Sequence, residues 1–376
     1  MKKISLVLGL LAAGITSAYA QSSVTIGGIV DAAVQHKTNA GLTAATRGDS
    51  INSVIPGGMS QSRLNFNVVE DMGGGLKALA NLEHRILLDT GSAASTNFWQ
   101  QSWVGLESKE FGRITLGRQF NILFDAMTST YASYKYSPYV EPFKPEIGMT
   151  LGARNDNMIK YLITAGGFAA EAQYSLAEGN ALAASASGQS TGGFLKYSEG
   201  EFAVVGAYMA LKDACPTAAT GAAACTNKQA KQTNFGGSYT SGPLYLSAAW
   251  AKTQFELGFP AALNAALAGG FGLGMNANLA TTALTDHRTM IQAGGTYQVT
   301  SALNLGANYW SITQNGVTPS FGDGTIKMMN VVADYAFSKR TEVYVHFDHS
   351  VLGGNLTLAN TATKRDDFTV GVRHRF

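Results

Sequence analysis

From Val24 onward the sequence is built of runs about ten residues long in which apolar and polar side chains take turns. "LKALANLEHRI" sets Leu76, Ala78, Ala80 and Leu82 against Lys77, Asn81, Glu83 and Arg85. "FAAEAQYSL" sets Phe168, Ala170, Ala172, Tyr174 and Leu176 against Glu171, Gln173 and Ser175. A period of two is the repeat of a strand, whose successive side chains point to opposite faces. One greasy and one wet face per strand is the pattern of antiparallel sheet. The last stretch, "DDFTVGVRHRF", keeps this order to its final residue. Phe368, Val370, Val372, His374 and Phe376 share one parity, and Asp367, Thr369, Arg373 and Arg375 the other. A terminus is usually frayed unless something ties it down, so this strand needs a partner.

The connections also alternate. Short turns marked by Gly or Ser fall at residues 70–75, 109–112, 165–167, 199–200, 241–243, 300–301 and 338–340, with longer polar stretches between them. Seven short turns link fourteen strands in pairs, and the first and last strands make sixteen. Short turns at one rim and long loops at the other, with an even strand count, mark an outer-membrane barrel. In hydrocarbon every backbone N–H and C=O needs a protein partner, so an open edge is not tolerated. Closure pairs the first strand with the last, with lipid on the apolar face. Phe111, Phe168, Tyr197, Phe202, Tyr239, Tyr335, Phe337 and Phe376 suit the interfacial girdles. The expectation is an all-β fold, a transmembrane antiparallel β-barrel of about 16 strands with short periplasmic turns and long external loops.

Residues 1–20 read as a cleaved signal peptide: Lys2-Lys3, an apolar middle, then Ala18-Tyr19-Ala20. The barrel would then occupy residues 21–376. Loss of Lys2 and Lys3 takes 27 basic residues to 25, against 25 acidic, and a neutral chain lacks the basic excess of a nucleic-acid binder. No apolar run after residue 20 is long enough for a spanning helix. Cys215 and Cys225, in the external loop 212–231, read as a disulfide rather than two free thiols in an oxidising compartment. No histidine stands beside them at ligand spacing, and no metal or cofactor is expected.

Several stretches are specific together: "SSVTIGGIVDAAV", "SRLNFNVVEDMGGGLKA", "EFGRITLGRQFN", "RNDNMIKYL" and "VGVRHRF". On these the chain resembles, over its whole length, the general porins of the Gram-negative outer membrane of beta-proteobacterial type. The resemblance implies a water-filled diffusion channel for ions and small hydrophilic solutes, a homotrimer in outer-membrane lipid. It also implies that Phe376 helps the last strand engage the barrel-insertion machinery.

Residues 119–157 form a connection too long to be a plain turn, and such a loop is usually functional or disordered. By resemblance it is the third external loop, folded into the pore. The resemblance also implies a basic wall opposite, and Arg63, Arg118 and Arg154 match by local motif. Arg118 shares the parity of Ile114 and Leu116, so it needs a bulge or kink at Gly117 to turn inward. Arg85 and Lys77 are further inward cations, and Asp125, Glu141 and Glu146 are the candidate loop acids, each of which could instead be a solvated charge. Arginines facing carboxylates across a narrow gap set up a transverse field, and size and charge then decide passage.

Three rivals remain. Gly188-Gln189-Ser190-Thr191-Gly192 fits G-x-S-x-G, which would make a barrel-embedded lipid hydrolase, but no helix is expected after it. A substrate-specific channel of the same fold would use Tyr131, Tyr134, Tyr136 and Tyr139 along its path. An adhesin would need a binding signature that the Asn-, Thr- and Ala-rich loops lack.

Overall fold

The computed structural model describes residues 22–134, 145–176, 189–212, 228–257, 259, 285–317 and 323–376. Eighteen strands follow one another: β1 (Ser23–Lys37), β2 (Ile51–Ile55), β3 (Ser62–Gly73), β4 (Leu76–Leu87), β5 (Ser92–Ala93) and β6 (Trp99–Ser108). Then come β7 (Gly112–Phe120), β8 (Arg154–Ala165), β9 (Phe168–Ser175), β10 (Ser190–Glu199), β11 (Phe202–Lys212) and β12 (Gln229–Ser241). The last six are β13 (Leu244–Phe255), β14 (Thr285–Gln298), β15 (Leu303–Gly316), β16 (Gly324–Ala336), β17 (Thr341–Gly354) and β18 (Lys364–Arg375). The brief β2 and β5 belong to external connections and pair with the ends of β1 and β4. The other sixteen form the wall, each antiparallel to its neighbour, with short turns at all seven expected places.

The wall closes. β1 pairs with β3 through Ser23–Ile29 and with β18 through Ile29–Lys37. The final residue completes the seam: the Gly28 N–H donates to the Phe376 carbonyl (3.1 Å), and the Phe376 N–H donates back to Gly28 (3.2 Å). A Cβ at Gly28 would lie 2.3 Å from the Arg63 carbonyl and 2.6 Å from the Phe376 ring, so only glycine fits where the three strands meet.

The exposure pattern is the reverse of a globular sheet. Phe202 is 63 % exposed and Phe368 49 %, whereas Glu171, Gln173, Asn234, Thr369 and Arg373 are buried. Apolar side chains therefore face outward and polar ones face the lumen, the arrangement that hydrocarbon outside requires. No helix of the described residues is long and apolar enough to cross a membrane; the crossing is made by strands.

β11 departs from this rule. Val205, Ala207, Met209 and Leu211 are buried on its inner face, while Phe202, Val204 and Tyr208 are exposed on its outer face. A strand apolar on both faces is covered on both faces, and the inner cover is the connection after β7.

Candidate permeation site

That connection starts at the end of β7. Asn121 caps a short helix, α1 (Ile122–Ala126), its side chain accepting from the Phe124 N–H at 3.0 Å. The chain continues through a π-helical turn at Met127–Tyr131. Ile122, Leu123 and Ala126 bury completely in one cluster with Phe194, Val205 and Met209 of β10 and β11. Each large apolar side chain so buried contributes about 1.5–3 kcal/mol.

Beyond α1, five successive strands each hold the loop by one lumen-facing polar side chain. Asn234 of β12 donates to the Tyr131 hydroxyl (3.0 Å), and the Tyr245 hydroxyl of β13 donates to the Ala132 carbonyl (2.6 Å). Gln292 of β14 donates to the Tyr131 carbonyl (3.0 Å), and Asn308 of β15 to the Ser133 carbonyl (3.2 Å). The Tyr134 hydroxyl donates to Asn330 of β16. Tyr134 also packs with Met59, which the first external connection carries inward. Asp31 fixes that connection by accepting from the backbone N–H groups of Gly58 (3.1 Å), Met59 (3.2 Å) and Ser60 (2.8 Å).

Residues 121–134 therefore lie along the inner face of β9–β16, and a cavity of about 420 Å³ is left beside β1, β3, β4 and β6. Its lining includes Arg63, Arg85 and Arg375 with Glu83, and α1 supplies Phe124 and Asp125 from the other side. Arg63 pairs in register with Arg85 on one side and with Ile29 on the other, and Ile29 pairs with Arg375. The three arginines thus share one row across β4, β3, β1 and β18. It runs from the end of β18 at the short-turn rim to the loop-side ends of β3 and β4. With strands tilted about 35–45° and about 4.8 Å apart, such a row climbs about 3 Å per strand. The arginines form a stair along the lumen. Glu83 anchors its top, 2.8 Å from Arg85 Nε and 3.3 Å from Arg154 Nη2. The Arg154 guanidinium also covers the Phe120 ring, 4.1 Å from its centroid.

The other expected residues are placed differently. Gly117 has φ +128° and the β7–β8 register does shift between Gly117 and Gln119. Even so, Arg118 is not part of the cavity lining; it stands across from Ser102 and pairs with Asp156. Lys77 is opposite Asp71 and Glu107 by the short-turn rim, and eight residues of strand separate it from Arg85, about 26 Å at 3.3 Å per residue. Glu146 as a pore acid needs correction. It is 1 % exposed and accepts from the Ser133 N–H (2.9 Å) and the Ser133 hydroxyl, behind the loop. Burial pushes its carboxyl up to about 8, so it is a latch with a held proton. Asp125 does line the cavity, paired there with Lys160, which also approaches Glu171 at 3.6 Å. Glu141, Cys215 and Cys225 lie outside the described residues, as do residues 1–20.

Motif matching missed Arg375, Glu83 as the shared counter-charge, and the five-strand fastening of the loop. Strand parity already put Arg375 and Glu83 on the wet face. Ser190 opens β10, fully buried and bonded to Gln173 and Ser175, and the residues that follow it continue as strand to Glu199. His349 pairs with Asp366 while the buried His346 pairs with Asp348.

A closed sixteen-stranded wall with a polar, arginine-lined lumen defines a channel of the outer-membrane type. The family described as Gram-negative porin matches residues 5–354, and the chain belongs to that family. It is 32 % identical over 263 residues to outer membrane porin protein 32 of Delftia acidovorans, covering 68 % of this chain and 71 % of that protein. It is 28 % identical to an outer membrane porin protein of Bordetella pertussis over the full length of both. The anion-selective porin from Comamonas acidovorans shares the fold, with a TM-score of 0.73 at 23 % identity, covering 95 % of this chain and all of that one. The protein is a diffusion channel of the Gram-negative outer membrane, a channel rather than an enzyme.

Proposed function

We propose that the seated loop and the stair of Arg375, Arg63, Arg85 and Arg154 form the selecting constriction of this porin, and that it favours anions. The observation that carries this is the sharing of one carboxylate, Glu83, by Arg85 and Arg154. Arg63 stands next to Arg85 in the same row. Guanidiniums stay charged at any relevant pH, so this wall keeps a positive surplus. Asp125 across the gap, already engaged by Lys160, completes a transverse field rather than neutralising it. Only charges within about 8 Å of a passing ion act on it; the near-neutral sum over the chain is irrelevant to selection. Solutes pass by diffusion, with no bond made or broken.

By family resemblance the channel assembles as a homotrimer, Phe376 marks the last strand for insertion, and residues 1–20 are removed on export. Reversal potential in a planar bilayer under a salt gradient tests the wall. Arg63→Ala or Arg85→Ala should lower the anion-to-cation permeability ratio about twofold each, the opposite effects on the two ions of a unit charge about 8 Å away in water, screened over one Debye length. An unchanged ratio in both would remove the arginines from selection. Saturable block of the current by one solute class would instead favour a substrate-specific channel.

A further inference from the structure

A second cavity, of about 300 Å³, lies against β7–β10 on the short-turn side of the seated loop. One register row makes its wall: Arg113 of β7, Leu162 of β8, Glu171 of β9 and Phe194 of β10. Its floor lies one step closer to the short turns, where Ala169 and Lys196 are register partners. The small side chain of Ala169 leaves room there that a larger one would fill. Asp125 and Thr128 of the loop line this cavity and the pore cavity alike, so the loop stands between the two.

The charges around this pocket are unevenly matched. Asp125 and Glu171 share one cation, Lys160, which pairs closely with Asp125 and stands 3.6 Å from Glu171 Oε1. Lys160 also donates to the Phe120 carbonyl at 3.0 Å. Glu171 is 5 % exposed, and its Oε1 accepts no hydrogen bond among the described residues. A buried carboxylate oxygen left without a donor is costly. At the other end, Arg113 reaches Glu107 only at 3.9 Å, with both side chains partly open to solvent. Lys196 donates to the Ser129 carbonyl (2.6 Å) and makes no ion pair among the described residues. The pocket thus offers an acceptor short of a donor at one end and a guanidinium at the other.

We propose that this pocket binds a free α-amino acid, with its ammonium on Glu171, its carboxylate on Arg113 and an aliphatic side chain against Leu162 and Phe194. Two strand steps of about 4.8 Å set Arg113 and Glu171 about 9.6 Å apart. An ammonium and a carboxylate one carbon apart, with a charge-assisted hydrogen bond of about 2.8 Å at each end, bridge about 9 Å. Leu162 lies between the two charged residues in the row and covers the apolar part. A simple anion would meet two carboxylates at the buried end, and a simple cation would meet Arg113 and Lys196 at the other. Only a solute carrying both signs is matched at both ends. This rests on the seating of the loop and is independent of the arginine wall.

The test uses the full-length folded protein in deuterated detergent and saturation-transfer NMR, with the signal of empty micelles subtracted. The probes are leucine, isocaproate, which lacks the amine, and isoamylamine, which lacks the carboxylate. Wild type should bind leucine about tenfold more tightly than either analogue, the weight of one charge-assisted hydrogen bond. Arg113→Gln and Glu171→Gln should each weaken leucine binding about tenfold. Ala169→Leu, which fills the floor and touches no charge, should abolish it. Leucine bound no better than its analogues, or unchanged in both Arg113→Gln and Ala169→Leu, overturns the proposal. Leucine binding lost in Arg63→Ala but kept in Arg113→Gln would place the amino acid on the arginine wall and overturn it too. The reversal potentials of Arg63→Ala and Arg85→Ala test that wall separately, and their result bears on ion selection, not on this pocket.

Discussion

Glu146 shows how a loop acid expected at the pore can instead be buried behind the loop, with a different role. Its carboxyl titrates near 8 in the seated loop, against 4.5 for the free group. A raised acid holds its proton better folded than unfolded, so the seat is firmest below about 4.5 and weakens as pH rises through 8. Loop excursions, read as open-channel current noise, should therefore grow between pH 6 and 9. Glu146→Gln should flatten that dependence; noise that still rises equally with pH would assign the effect elsewhere. Burial also raises the phenols of Tyr131 and Tyr134, so both stay neutral donors or acceptors across this range. Arg375 makes the complementary point. Parity alone places it in the lumen, yet its neighbour across the row is Arg63, more than three hundred residues away.

At the scale of elements, the loop and the wall are separable. The helix α1 is too short to persist by itself, and its order comes from the apolar inner face of β10 and β11. Leu123→Ala removes a fully buried side chain from that seat and should cost about 2–5 kcal/mol of local stability. Hydrogen exchange of the amides at 122–131 should accelerate while the wall strands stay protected. Parallel acceleration in β10–β16 would mean that loop and wall unfold together. The fastening also explains why Asn234, Tyr245, Gln292, Asn308 and Asn330 are amides and a phenol: each donates to or accepts from loop groups that would otherwise be buried without partners.

The whole molecule depends on its seam. β1 serves two neighbours, and Gly28 is where β3 and Phe376 both press against it. Gly28→Val should lower the temperature at which the folded barrel converts to the unfolded form on an unheated gel, and Phe376→Ala should do so less. A Gly28→Val barrel as heat-resistant as wild type would show that the seam is closed elsewhere. Arg373 reinforces the same region, donating to Ser60 at 2.7 Å and pairing with Glu342, and so ties β18 to β17 and to the first loop.

What the sequence determined by itself is everything that follows from period two: strand number, the seven turns, inward and outward faces, closure and the bilayer outside. These are local rules, repeated along the chain, and each strand carries its own copy. Only the tertiary structure decided which inward residues meet. Row partners such as Arg85, Arg63 and Arg375 depend on register across the closure, which no local pattern encodes. The placements of Arg118, Lys77 and Glu146 depend likewise on a bulge, a distance along a strand and a buried pocket. Alternation says which side of the wall a residue occupies; the height it reaches there, and what stands opposite, come from the stagger of a closed sheet.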